Sequence, residues 1–94
     1  MRTLEFKETI TNTFLKTVSA FSNYDGGVIF FGMDDNGNVK GLSDVRQSCL
    51  DIENKINDSI SPQPDYTLEI QNDNMIKLTI KSGDQKPYLY KSKA

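Results

Sequence analysis

The stretch Gly26-Gly27-Val28-Ile29-Phe30-Phe31-Gly32-Met33, followed by Asp34-Asp35-Asn36-Gly37, constrains the fold of this chain more than any other segment. Its apolar run is too short for a helix and is bracketed by residues that turn the chain. It therefore reads as a central strand buried on both faces. Asn36-Gly37 is a strong hairpin signal, because a type I′ turn takes positive φ at both central residues, and it predicts a return strand over Asn38–Gly41.

The flanking segments supply the partners of that strand. Leu4 and Phe6 alternate with Glu5 and Lys7, as in a short strand with one apolar face. Ile10, Phe14, Val18 and Phe21 recur at helical spacing, widened by Leu15 and Ala20. Thr9 or Thr11 is placed to cap this helix, and Asp25-Gly26-Gly27 ends it. A second stripe of Val45, Cys49, Ile52, Ile56 and Ile60 predicts a second helix, capped by Ser43 with Asp44 in its first turn and stopped by Pro62 and Pro64. Tyr66, Leu68 and Ile70, then Ile76, Leu78 and Ile80, form a second hairpin around Asn72-Asp73-Asn74. Pro87-Tyr88-Leu89-Tyr90-Lys91 reads as a last edge strand. The expected fold is α+β, a mixed sheet with two helices packed on one face, in the order β-α-β-β-α-β-β-β. Residues 1–94 form a single domain, and the other sheet face is left to solvent, a partner or a function.

Composition excludes several chemistries. The chain has no histidine and one cysteine, Cys49, so it holds neither a His-based triad nor a His-ligated zinc site. The lone cysteine and the absence of a secretory-type apolar segment at the start fit a cytoplasmic protein, and no run is long enough to span a membrane. Thirteen acids against eleven bases give a net charge of −2. Attraction to phosphate must then come from local clustering of bases rather than from a basic excess.

Lys77, Thr79 and Lys81 share one strand face, with Lys7 and Lys91 on candidate neighbouring strands. Such a basic face can track a phosphate backbone, and lysines there also guard a sheet edge against aggregation. Glu5 and Asp35 are hard carboxylates suited to magnesium or manganese, and equally to a solvated strand and ordinary turn chemistry. Asp34 reads as a structural acid of the hairpin turn. Gly26-Gly27 lacks the Lys-Ser/Thr of a P-loop and reads as a helix cap, so no ATP site is expected. Tyr66, Tyr88 and Tyr90 fit half-buried sheet positions better than base stacking. Phe14, Phe21, Phe30 and Phe31 are assigned to the core, and Cys49 to an inert packed thiol.

Leu4-Glu5-Phe6-Lys7, Phe14-Leu15-Lys16-Thr17-Val18-Ser19-Ala20-Phe21-Ser22-Asn23 and Gly26 through Asp35, with Gly37, Gly41-Leu42, Ile56 and Ile60-Ser61-Pro62, together resemble the Schlafen-type Alba-like (divergent AAA) domain. The resemblance runs in order from about position 4 to 64. It implies the nucleic-acid-binding, DNA- or RNA-directed module of a bacterial transcriptional regulator, non-catalytic in isolation, with a winged-helix region further along the full-length protein. Lys93-Ala94 reads as a cut within that longer protein. Animal relatives of the family cut structured RNA. Carried over by position, their metal-binding acids fall on Glu5, Asp35 and a third position that precedes Met1. Two alternatives stand beside the binding reading: a metal-dependent endoribonuclease-like module, and a protein-interaction module that forms a homodimer. No helix-turn-helix or RRM signature separates DNA from RNA.

Overall fold

Two helices and six strands form over residues 3–91, the part of the chain that the computed structural model describes. Lys93 and Ala94, read above as a cut end, lie outside the described residues. In chain order the elements are β1 (Leu4–Lys7), α1 (Phe14–Asn23), β2 (Gly27–Phe31), α2 (Val45–Ser59), β3 (Ile60–Ser61), β4 (Tyr66–Gln71), β5 (Met75–Ile80) and β6 (Leu89–Tyr90). A four-stranded sheet runs β1-β2-β5-β4, with β1 parallel to β2 and the other pairs antiparallel. The protein is α+β with a mixed sheet and two helices, as the sequence predicts.

Side-chain alternation divides the sheet into two unlike faces. Register aligns Glu5, Ile29, Leu78 and Leu68 in one row and Lys7, Phe31, Ile76 and Ile70 in the next. Ile29, Phe31, Ile76, Leu78 and Ile80 from this face join Phe14, Leu15, Val18 and Phe21 of α1 and Ile52 and Ile56 of α2 in one buried cluster. Phe14 meets Phe31 edge-on, with ring centroids 5.3 Å apart, a favoured aromatic geometry. The opposite face holds the row Phe6, Phe30, Lys77 and Glu69 and the row Leu4, Val28, Thr79 and Thr67.

Several expectations are corrected here. β2 is covered on one face only: Ile29 and Phe31 are buried, whereas Val28 and Phe30 are half-buried on the uncovered side. Phe30 therefore does not belong to the core. The return strand over Asn38–Gly41 shrinks to a single bridge, Met33 with Val39. A strand after α2, Ile60–Ser61, takes its place in the count and pairs with Leu89–Tyr90. The final strand thus joins a separate two-stranded ribbon rather than the edge of the main sheet. Helix α1 begins at Phe14 with Thr13 as its cap residue, and no side chain caps it. Ile10 still packs on the core, but from the preceding loop. Asp44, not Ser43, caps α2, its carboxylate accepting from the Gln47 amide at 3.1 Å.

The segment after β5 closes the core from the side. Tyr88 is buried, and its backbone N–H and C=O are both held by the Asn23 side-chain amide, at 2.6 and 2.8 Å. The Ser19 hydroxyl donates to the same carbonyl, at 2.8 Å. Asn23 at the end of α1 thus does for Tyr88 what a neighbouring strand would do, satisfying backbone groups that burial would otherwise leave unpaired.

Candidate functional site

The Asp34–Asn38 hairpin places the acids. Asp34 N–H donates to the Asn38 carbonyl at 2.9 Å, and Gly37 N–H donates to the Asp34 carbonyl at 3.0 Å. Only Gly37 in this turn has positive φ, at 84°. The loop is a three-residue connection with one left-handed glycine, not the two-residue type I′ turn that Asn-Gly predicts. Asp34 organises it: Oδ1 accepts from the amides of Asn36 and Asn38, at 3.0 and 2.9 Å. These bonds, the Asn38 amide foremost, hold the Asp34 carboxyl below its ordinary range, and Lys40 at 4.0 Å adds to the effect. Asp34 is structural, as its sequence context predicts.

Backbone contacts then bring this turn against β1. The Lys7 carbonyl accepts from both Gly32 and Met33, at 2.8 and 3.3 Å. Gly32, with φ of 94°, sits where a Cβ would press on the Asn74 carbonyl at 3.3 Å, so glycine lets β2 turn away from the sheet here. The result is a recess at the free edge of β1 lined by Glu5, Phe6, Lys7 and Asp35, continuous in sequence with one lined by Lys7, Glu8, Asp34 and Asn36. The structure therefore brings Glu5 and Asp35 to one site. It also brings Lys7, which the sequence places with the other lysines.

Glu5 is already engaged there. The Thr17 hydroxyl of α1 donates to its Oε2 at 2.9 Å, and the Lys7 ammonium lies 3.8 Å from the same oxygen. Magnesium and manganese require several oxygen donors in close array. Among the described residues no cluster of three acids, cysteines or histidines comes together. The recess thus gathers two carboxylates, one of them beside an ammonium.

The four candidate lysines separate into three places. Lys77 lies half-buried on the uncovered sheet face, in register with Phe30. Lys81 follows β5 with the same parity, its amide extending the β4–β5 ladder to the Asp65 carbonyl at 2.9 Å. Lys7 has the opposite parity and lines the edge recess. Lys91 is exposed beyond the ribbon, its amide bonded to the Ser59 carbonyl at 2.7 Å. Neither ion pair seen among the described residues, Lys7–Glu5 and Lys40–Asp34, involves Lys77 or Lys81.

Sequence reasoning passed over Phe6 and Phe30, which stand side by side on the uncovered face with centroids 6.2 Å apart. Period-two alternation gives the parity of Phe6, but the unbroken apolar run of β2 hides which of its phenylalanines points outward. Tyr88 is buried, and Tyr66 and Tyr90 pack against the core. Burial, reinforced by Glu53, pushes the Tyr66 hydroxyl up, and the same two causes push up the Cys49 thiol.

The family profile described as Schlafen, AlbA_2 matches residues 1–94. The chain belongs to the Schlafen, AlbA_2 family. Solved structures agree on the fold. One match is the N-terminal domain of a RecG-related protein from Nitrosomonas europaea, solved by NMR, at TM-score 0.66 and 20% identity, covering 97% of this chain and 70% of that one. Another is the DIP2311 protein from Corynebacterium diphtheriae, at TM-score 0.65 and 16% identity. That alignment covers 94% of this chain but only 19% of the larger protein. Among curated proteins nothing matches. No described helix of this AlbA_2 domain is long and apolar enough to cross a membrane.

Proposed function

We propose that this AlbA_2 domain is a nucleic-acid-binding module of a larger bacterial regulatory protein, non-catalytic by itself and working in a reducing compartment. The observation that carries this reading is the uncovered sheet face with Lys77 of β5 and Lys81 just after it on one parity, neither ammonium in an ion pair among the described residues. With a net charge of −2, the chain depends on such a local strip to meet phosphates. The RecG-related protein, named for an ATP-dependent DNA helicase, is consistent with a nucleic-acid setting for the family.

Binding through phosphates releases counterions, so affinity for a labelled oligonucleotide should fall steeply with added salt. A flat salt response in fluorescence anisotropy contradicts the reading. The recess that gathers Glu5, Lys7 and Asp35 supports the metal-dependent alternative. RNA cleavage that requires magnesium or manganese, and disappears in Asp35→Ala, would replace binding with catalysis.

A further inference from the structure

The uncovered face carries more than lysines. Phe6 on β1 and Phe30 on β2 are direct register partners, half-buried, with ring centroids 6.2 Å apart and planes at 47°. The next residue along that row is Lys77, and the row beside it presents the hydroxyls of Thr79 and Thr67. Aromatic rings and an ammonium thus occupy adjacent strands of one sheet face, at the roughly 4.8 Å spacing of neighbouring strands. We infer that this face is a stacking platform for single-stranded nucleic acid, on which Phe6 and Phe30 take unpaired bases while Lys77 and Lys81 hold the phosphates alongside.

Three features select that ligand. Rings fixed on a sheet can reach base π-faces only where the bases are not stacked in a duplex, so the aromatic pair favours single strands. Charge on the face is paired across the strands: Lys77 stands opposite Glu69, which also accepts from the Gln71 amide at 3.3 Å, and Lys81 stands opposite Asp65, so the cations are local points on a face without a basic excess. Apart from Met75 at the start of β5, the apolar part lies on the β1–β2 half, with polar and charged groups on the β5–β4 half, so the surface is two-part in the way a nucleotide is. Thr67 and Thr79 add neutral hydrogen-bonding groups that read no particular base, consistent with sequence-tolerant binding.

This inference rests on the proposed nucleic-acid role and narrows it to single strands and to named rings. It is tested with fluorescein-labelled single-stranded DNA and RNA oligonucleotides and the corresponding DNA duplex, against wild type, Phe6→Leu/Phe30→Leu and Lys77→Ala. Leucine keeps the apolar volume and removes the π-face, and circular dichroism melting confirms that each variant folds. The expected result is tighter binding to single strands than to duplex, weakened about 10-fold or more by the double leucine variant. Lys77→Ala should weaken binding in a salt-dependent manner. If wild type binds no oligonucleotide, the underlying role fails, and this proposal with it. If wild type binds but the leucine variants bind equally well, or the duplex is preferred, the platform is wrong while the role stands. If the leucine variants instead abolish concentration-dependent self-association, seen by sedimentation, the face docks a second copy and the proposal is overturned.

Discussion

The two faces of the central sheet are built from the same strands yet have opposite fates. On the inner face Ile29, Phe31, Ile76, Leu78 and Ile80 are each at most 2% exposed beneath two helices. One residue away, Phe30, Lys77 and Thr79 remain partly open, with no helix or strand among the described residues packed over them. Alternation alone separates a stabilising surface from one available for recognition. Core volume on one side is strictly constrained, whereas polar and aromatic choices on the other contribute little to the fold and are free to serve a ligand.

The sharpest break between the faces should come from neighbouring residues of β5. Leu78→Ala removes a fully buried side chain and should cost about 2–5 kcal/mol, whereas Thr79→Ala should stay within about 0.5 kcal/mol. Urea unfolding of both variants measures the contrast, and similar losses would mean that the outer face is also packed.

The clamp that seals the inner face is the next test. Asn23→Ala leaves the Tyr88 N–H without its acceptor, and its carbonyl with the Ser19 hydroxyl alone, and should cost about 1–3 kcal/mol. Amide exchange should accelerate at Tyr88, whose N–H donates to Asn23, ahead of the sheet amides. Uniform acceleration would show that the segment is not a separate closing element.

The smallest effect lies in the hairpin beside the recess. Its folded pKa is depressed, so the Asp34 carboxylate contributes stability above its ordinary value of 3.8, and that contribution is lost as pH falls through the lower folded value. The stability gap between wild type and Asp34→Asn should therefore be largest above that pH and close on further acidification. The gap should be modest, because the group is solvent-screened. A gap that widens in acid would reverse the assignment.

Much of this was legible in the chain. The helix stripes, the alternation of β1, β4 and β5, the structural role of Asp34 and the shared parity of Lys77 and Lys81 all follow from spacing. What escaped depends on pairing across distance. The unbroken run of β2 carries no sign of which face the helices cover, so Phe30 reads as core. Lys7 leaves the lysine strip because β1 enters the sheet parallel to β2 in a register that aligns it with Phe31. Two-residue strands such as Ile60–Ser61 are too short to show a period, so the partner of Leu89–Tyr90 was invisible. Glu5 and Asp35 could be picked out singly. Their meeting required the Lys7 carbonyl to capture Gly32 and Met33.

The central claim, that the uncovered face meets nucleic acid through its β5 lysines, is tested most directly by the salt slope of single-strand binding in wild type and in Lys77→Ala/Lys81→Ala. Each phosphate contact contributes about 0.7 to the slope of log K against log salt for single strands. The account predicts a double variant that binds more weakly, with a slope shallower by roughly 1.4. An unchanged slope and affinity in that folded variant would place the phosphate contacts elsewhere and contradict it.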